Sequence, residues 1–290
     1  MSDLNDAGWL DVQYNNRARV AEHGEILARW AQRSQAVRDE TPCQLDLRYG
    51  PGEGETLDVF PASAATPQTA GGAPVLVFIH GGWWRALDKA DHSFIAPAFN
   101  AAGAVVVMPN YALCPAVSIE HIALQMTQAL AWVWRHAAEF GGDPARIVVA
   151  GHSAGGHLAT MLLSCRWPDL APDLPPGLVS RALAVSGVFD LEPLMRTPYL
   201  QADLRLTADA VRRLSPARHP VPAGRLNAVC GGNESEEFLR QLRLIRKVWG
   251  KAAVPVCEAL PGANHFTVLD HLADSASRLH ALALALLDLG

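Results

Sequence analysis

The chain has 290 residues, half of them hydrophobic and 18% charged, a balance that excludes disorder and suits one large α/β domain or two small ones. A formal charge of −5, with no run of Lys or Arg longer than a pair, excludes the electrostatic footprint of a nucleic-acid or anionic-membrane binder. Small-molecule partners are expected instead, with homodimerisation left open.

The first six residues lack a basic and then apolar leader pattern, and no apolar stretch approaches the roughly 18 residues of a membrane span, so a cytoplasmic location is expected. Five cysteines, at 43, 114, 165, 230 and 257, are scattered and show no zinc-type spacing with histidine. They read as reduced thiols, and no metal or organic cofactor is implied.

Residues 1–40 form a helical extension: 11–38 are polar and helix-prone, with Leu27, Trp30 and Val37 at loose helical spacing. Residues 43–49 and 56–60, separated by the turn Gly50-Pro51-Gly52, predict an antiparallel hairpin, and 62–73 a surface loop rich in small residues. From Pro74 onwards, short apolar runs at 75–80, 104–109, 146–150, 182–186, 227–230 and 254–260 predict buried strands. Helical patterns at 119–140, 157–164, 236–249 and 271–287 alternate with them. This alternation predicts a single α/β domain over 1–290, a mostly parallel sheet with helices on both faces. Residues 190–222, with weak periodicity, read as a lid segment.

The strongest chemical signal is Gly151-His152-Ser153-Ala154-Gly155, a G-x-S-x-G pattern between a predicted strand and a predicted helix. A serine on such a turn is presented by strained backbone, and the helix N-terminus behind it favours developing negative charge, so Ser153 is the candidate nucleophile. His80-Gly81-Gly82-Trp83-Trp84 closes the strand at 75–80, and the amides of Gly81 and Gly82, with that of Ala154, are candidate oxyanion donors. Trp83, Trp84 and Tyr111 are candidates for an aromatic substrate pocket. A serine needs a base, and in a strand-turn-helix hydrolase the acid and then the histidine follow the nucleophile in the chain. His265, in a loop after the last strand, is the candidate base. Glu234, nearest the end of the strand at 227–230, is the candidate acid, with Asp190 as its competitor.

Two rival readings are weaker. Gly151, Gly155 and Gly156 do not make the G-x-G-x-x-G of a dinucleotide-binding turn. An inactive binding protein on the same fold would be free to lose triad members, yet all three are available.

Several segments resemble the kynurenine formamidase (arylformamidase) group within the hormone-sensitive-lipase-like α/β-hydrolases, which also holds carboxylesterases. These are Tyr14-Asn15-Asn16-Arg17-Ala18-Arg19, Tyr49-Gly50, Leu57-Asp58-Val59-Phe60, His80-Gly81-Gly82-Trp83-Trp84, Asn110-Tyr111, Gly151-His152-Ser153-Ala154-Gly155, Ser186-Gly187-Val188-Phe189-Asp190 and Asn264-His265-Phe266. The resemblance implies an α/β-hydrolase fold, nucleophile, acid and histidine at Ser153, Glu234 and His265, oxyanion glycines at Gly81 and Gly82, and an ester or aryl formamide substrate such as N-formylkynurenine. The chain departs from the formamidases in offering a glutamate where they carry an aspartate as the acid.

Overall fold

The computed structural model describes residues 4–52, 54–64 and 71–289. Residues 65–70 of the predicted 62–73 loop, and residues 1–3, lie outside them. Three helices open the chain: α1 (Ala7–Tyr14), α2 (Asn16–Arg19) and α3 (His23–Glu40). They are followed by the hairpin strands β1 (Gln44–Arg48) and β2 (Thr56–Phe60) and then by β3 (Ala73–Ile79). Next come α4 (Ala96–Ala101), β4 (Val105–Pro109), α5 (Ile119–His136), β5 (Gly142–His152), α6 (Ala154–Leu163) and α7 (Trp167–Leu170). The remainder runs β6 (Arg181–Val185), α8 (Pro198–Leu204), α9 (Ala208–Leu214), β7 (Arg225–Gly231), α10 (Glu236–Ala253), β8 (Val256–Leu260), α11 (Val268–Ala273) and α12 (Arg278–Leu286).

The eight strands form one sheet in the order β1-β2-β4-β3-β5-β6-β7-β8. The pairs β1/β2 and β2/β4 are antiparallel, and every later pair is parallel. Strands buried on both faces need apolar residues at every position, and β3 supplies them. Val75, Val77 and Ile79 enter one buried cluster, and Leu76 and Phe78 enter another on the opposite face. Val105 and Val107 against Val106 and Met108 divide in the same way on β4, as do Ile147 and Val149 against Val148 and Ala150 on β5.

The chain crosses from β3 to β4 on one side and from there to β5 on the other. The order therefore reverses about β3, and ligands in such sheets bind beyond the carboxyl ends of the strands at that reversal. The helix predicted over 271–287 is broken into α11 and α12. Asp274 accepts from the Ala276 amide at 3.0 Å, and Ser277 caps α12 by accepting from His280 N–H at 3.0 Å. Both side chains satisfy backbone groups at the break, which is how Asp and Ser compete with a continuing helix.

Two buried histidines give the fold a pH dependence. His157, on α6, donates Nε2–H to the Leu214 carbonyl at 2.7 Å, and its Nδ1 has no partner. Burial lowers its pKa to about 4, and that of His92 to about 3. The unfolded chain, with histidines near pKa 6.5, binds these protons more readily. Their stabilisation is therefore complete above about pH 6.5 and is lost as the pH falls towards 4, at up to about 1.4 kcal/mol per pH unit for each histidine. Urea denaturation should give a clearly lower midpoint at pH 5.0 than at pH 7.5. Equal midpoints would show that these rings are not held neutral.

Candidate active site

Ser153 occupies the single residue between β5 and α6, with φ 55° and ψ −115°. A non-glycine residue at positive φ costs about 1–3 kcal/mol and persists only where its surroundings fix it. Here Ser153 N–H donates to the Val185 carbonyl at 2.8 Å, and the Ser153 carbonyl accepts from His157 N–H at 3.1 Å. The turn is tight enough that a Cβ on Gly155 would lie 2.0 Å from the Ile79 carbonyl oxygen. The glycine after the serine is thus required for α6 to start against the end of β3.

The segment after β3 reaches the same place from the neighbouring strand. A Cβ on Gly81 would lie 3.2 Å from the Ser153 Cβ, so this backbone passes beside the serine. Gly82, Trp83 and Trp84 all take positive φ, at 102°, 54° and 56°, and fold the chain back. Gly82, Trp83 and Ser153 line one cavity of about 380 Å³. Ala154 opens α6, where first-turn amides have no intrahelical acceptor.

Trp84 and Tyr111 do not line that cavity, which corrects the expectation of a three-residue aromatic pocket. The positive-φ turn sends Trp84 inwards, fully buried with its ring edge-on to His157 at 5.0 Å. Tyr111 lies behind the glycine segment. Its hydroxyl donates to the carbonyls of His80 and Gly81 at 2.9 and 3.2 Å, and its ring stacks on His80 at 4.2 Å. It positions the loop from the buried side. His80 has both ring nitrogens engaged, by the Gly81 carbonyl and by Asn110 Oδ1, and is a structural residue.

His265 and Glu234 meet across the loops that follow β8 and β7. His265 Nδ1 donates to Glu234 Oε2 at 2.7 Å, and Oε1 of the same carboxylate accepts from Ser186 Oγ at 2.5 Å and Gly231 N–H at 2.7 Å. A carboxylate can only accept from Nδ1–H, so the ring's Nε2 is left with its lone pair. The loop is held by Asn264, whose Oδ1 accepts from the amides of Phe266 and Thr267, both at 2.9 Å. Asp190 lies elsewhere: it accepts from Glu192 N–H at 3.2 Å, and its carboxylate faces Arg218 and Arg240 at 3.5 and 4.0 Å.

His152, the last residue of β5, holds His265, the candidate base, in place. Its Nε2–H donates to the His265 carbonyl at 2.8 Å, the two rings are 4.8 Å apart, and burial keeps its pKa well below the usual histidine value. A neutral ring next to the base adds no competing charge.

The cavity is closed by segments that carry no motif. Asn16 and Arg17 of α2, and Leu27 and Trp30 of α3, wall one side; Tyr199 and Asp203 of α8, within the lid segment predicted over 190–222, wall another. Tyr14 fastens α1 to α10 by donating its hydroxyl to Glu237 at 2.7 Å. The Arg85 guanidinium lies over the Tyr199 ring at 4.5 Å and is salt-bridged to Asp203, which ties α8 to the glycine segment. No short pattern announces such walls; only packing reveals them. Among the described residues no cluster of His, Cys, Asp or Glu suits a metal ion, and no helix is long and apolar enough to cross a membrane.

A family model described as BD-FAE matches residues 58–166, the stretch that holds Gly81, Gly82 and Ser153. A kynurenine formamidase from Danio rerio is 30% identical over 261 residues, 88% of this chain and 85% of that protein. Esterase LipQ of Mycobacterium tuberculosis is 34% identical over 151 residues, half of this chain and 35% of that protein. Among solved structures, a candidate thioesterase from Silicibacter sp. TM1040 superposes with a TM-score of 0.80 at 32% identity, covering 94% of this chain and 97% of that one.

Proposed function

The chain belongs to the kynurenine formamidase and carboxylesterase family of α/β-hydrolases, and on that footing we propose that it is a serine hydrolase cleaving an aryl formamide through Ser153, His265 and Glu234. The observation that carries this reading is the Glu234–His265 hydrogen bond of 2.7 Å, which leaves Nε2 free as a base in a ring that shares a cavity with a serine on strained backbone.

In the proposed reaction His265 Nε2 takes the Ser153 proton as Oγ attacks the formyl carbon. The amides of Gly81, Gly82 and Ala154 receive the oxyanion, an effect worth about 2.7–4 kcal/mol per donor. His265 then returns the proton to the nitrogen of the departing arylamine. Water, activated by the same ring, releases formate and regenerates Ser153. Glu234 stays ionised throughout and stabilises the imidazolium. Trp30, Trp83, Tyr199 and Phe266 around the cavity suit a flat aryl leaving group.

Parallel assays on N-formylkynurenine and p-nitrophenyl acetate test the substrate. The formamide is expected to show the larger kcat/KM. Turnover of the acetate alone would make the protein an esterase, the activity named for its mycobacterial relative.

A further inference from the structure

Tyr111 is buried and lines no part of the cavity, yet its hydroxyl reaches the two peptide groups beside Ser153. The carbonyls it donates to, those of His80 and Gly81 at 2.9 and 3.2 Å, belong to the peptide units whose N–H groups are those of Gly81 and Gly82. Both units are trans, so each N–H points away from the carbonyl of its own unit. In an extended strand successive carbonyls point to opposite sides. Here two of them converge on one oxygen, and their N–H groups therefore share a direction, as in an anion-binding nest. Neither amide makes a backbone hydrogen bond among the described residues. The ring that carries the hydroxyl is fixed by stacking on His80, with the two planes 6° from parallel. Burial raises the pKa of Tyr111 well above that of a free phenol, so the group stays a donor across the working pH range.

We propose that Tyr111 is a positioning residue of the oxyanion hole: one hydroxyl, set behind the glycine segment, orients and polarises the Gly81 and Gly82 amides together. A hydrogen bond accepted by a carbonyl polarises its peptide unit and strengthens the N–H on the other side, because hydrogen bonds in a chain reinforce one another. The inference rests on the reading of Ser153 as nucleophile and of those amides as oxyanion donors. Tyr111 adds no contact to the substrate. Its effect grows as charge develops on the substrate oxygen and is small in the ground state, so it acts on kcat and leaves KM alone.

Tyr111→Phe keeps the ring and removes the hydroxyl. On whichever of N-formylkynurenine and p-nitrophenyl acetate wild type turns over faster, kcat should fall about tenfold to a hundredfold with KM nearly unchanged. That is less than the roughly 10²–10³ lost when an oxyanion donor is removed outright. Tyr49→Phe is the control. The Tyr49 hydroxyl donates to the Asn110 carbonyl at 2.7 Å, so this variant also loses a phenol bond to the backbone next to Tyr111, and its kcat should stay within a few fold of wild type. Equal losses in the two variants would mean a general loosening and would overturn the proposal.

A matched pair of inhibitors isolates the oxyanion. Ser153 Oγ adds to the carbonyl carbon of phenethyl trifluoromethyl ketone, the carbonyl π pair moves onto oxygen, and the Oγ proton passes to His265 Nε2. The hemiketal oxyanion then faces the glycine amides, whereas phenethyl methyl ketone is too weak an electrophile to form it and reports ground-state binding. Tyr111→Phe should weaken the fluorinated ketone by the same factor as kcat and leave the methyl ketone unchanged. Wild-type affinity for the fluorinated ketone, or an equal loss for both ketones, would overturn this inference alone. Failure of the underlying reading shows separately: if Ser153→Ala bound the fluorinated ketone as tightly as wild type, the nucleophile would be misassigned and the proposal would fall with it.

Discussion

Ser153→Ala should lower kcat by a factor on the order of 10⁴ to 10⁶, while the protein remains folded. The expected size follows from the division of labour in the site. Without Oγ no acyl-enzyme forms, and the residual rate is what the oxyanion donors and the cavity provide to attack by water. Folding should be little affected, because the strained backbone at Ser153 is held by main-chain bonds to Val185 and His157 that alanine retains. Circular dichroism and the thermal midpoint of the variant check that part. A loss of only a few fold would mean that another group attacks.

Glu234→Gln is the more discriminating substitution. Glu234 Oε1 accepts from Ser186 Oγ and from the Gly231 amide, so in the variant the amide oxygen is fixed on that side. The new NH2 then faces His265 Nδ1, which must become an acceptor, and the ring proton moves to Nε2. A base protonated at Nε2 cannot take the proton of Ser153. A loss of about 10⁴ in kcat is expected with KM nearly unchanged, the size seen when an acid-to-amide change imposes the wrong tautomer in a serine triad. Asp190→Asn should leave kcat within a few fold, since Asp190 serves an ion-pair cluster with Arg218 and Arg240. If instead Asp190→Asn abolished activity and Glu234→Gln did not, the acid would be misassigned. Glu234→Asp is informative between these extremes. One methylene shorter, its carboxylate cannot keep both the His265 bond and the Ser186 and Gly231 bonds without movement of the loop.

The sheet was legible because its strands are short apolar runs closed by glycines, and because buried parallel strands tolerate little else. Ser153, Gly81 and Gly82 were legible for a related reason. Each sits at the end of such a run, where close backbone approach demands small residues in adjacent positions. His265 followed from chain order, and Glu234 from being the first carboxylate past a strand.

What stayed hidden depends on contacts distant in sequence. Ser186 and Gly231 satisfy the far oxygen of Glu234, and His152 carries the His265 carbonyl, and nothing local marks either role. The two adjacent tryptophans look equivalent in sequence. The positive-φ turn at 82–84 sends Trp83 to the cavity and Trp84 to the core, a decision of backbone geometry that residue type does not encode. The helical extension was expected, but its work as the wall carrying Asn16, Arg17 and Trp30 follows only from Tyr14 anchoring it beside α10.

The most direct test of the nucleophile is covalent. Diethyl p-nitrophenyl phosphate phosphorylates an activated serine with release of p-nitrophenolate, and peptide mapping by mass spectrometry locates the adduct. One adduct on Ser153, forming with loss of activity, absent from Ser153→Ala and much slower in Glu234→Gln, is the predicted result. Modification of another residue, or complete inactivation with Ser153 unmodified, would contradict it.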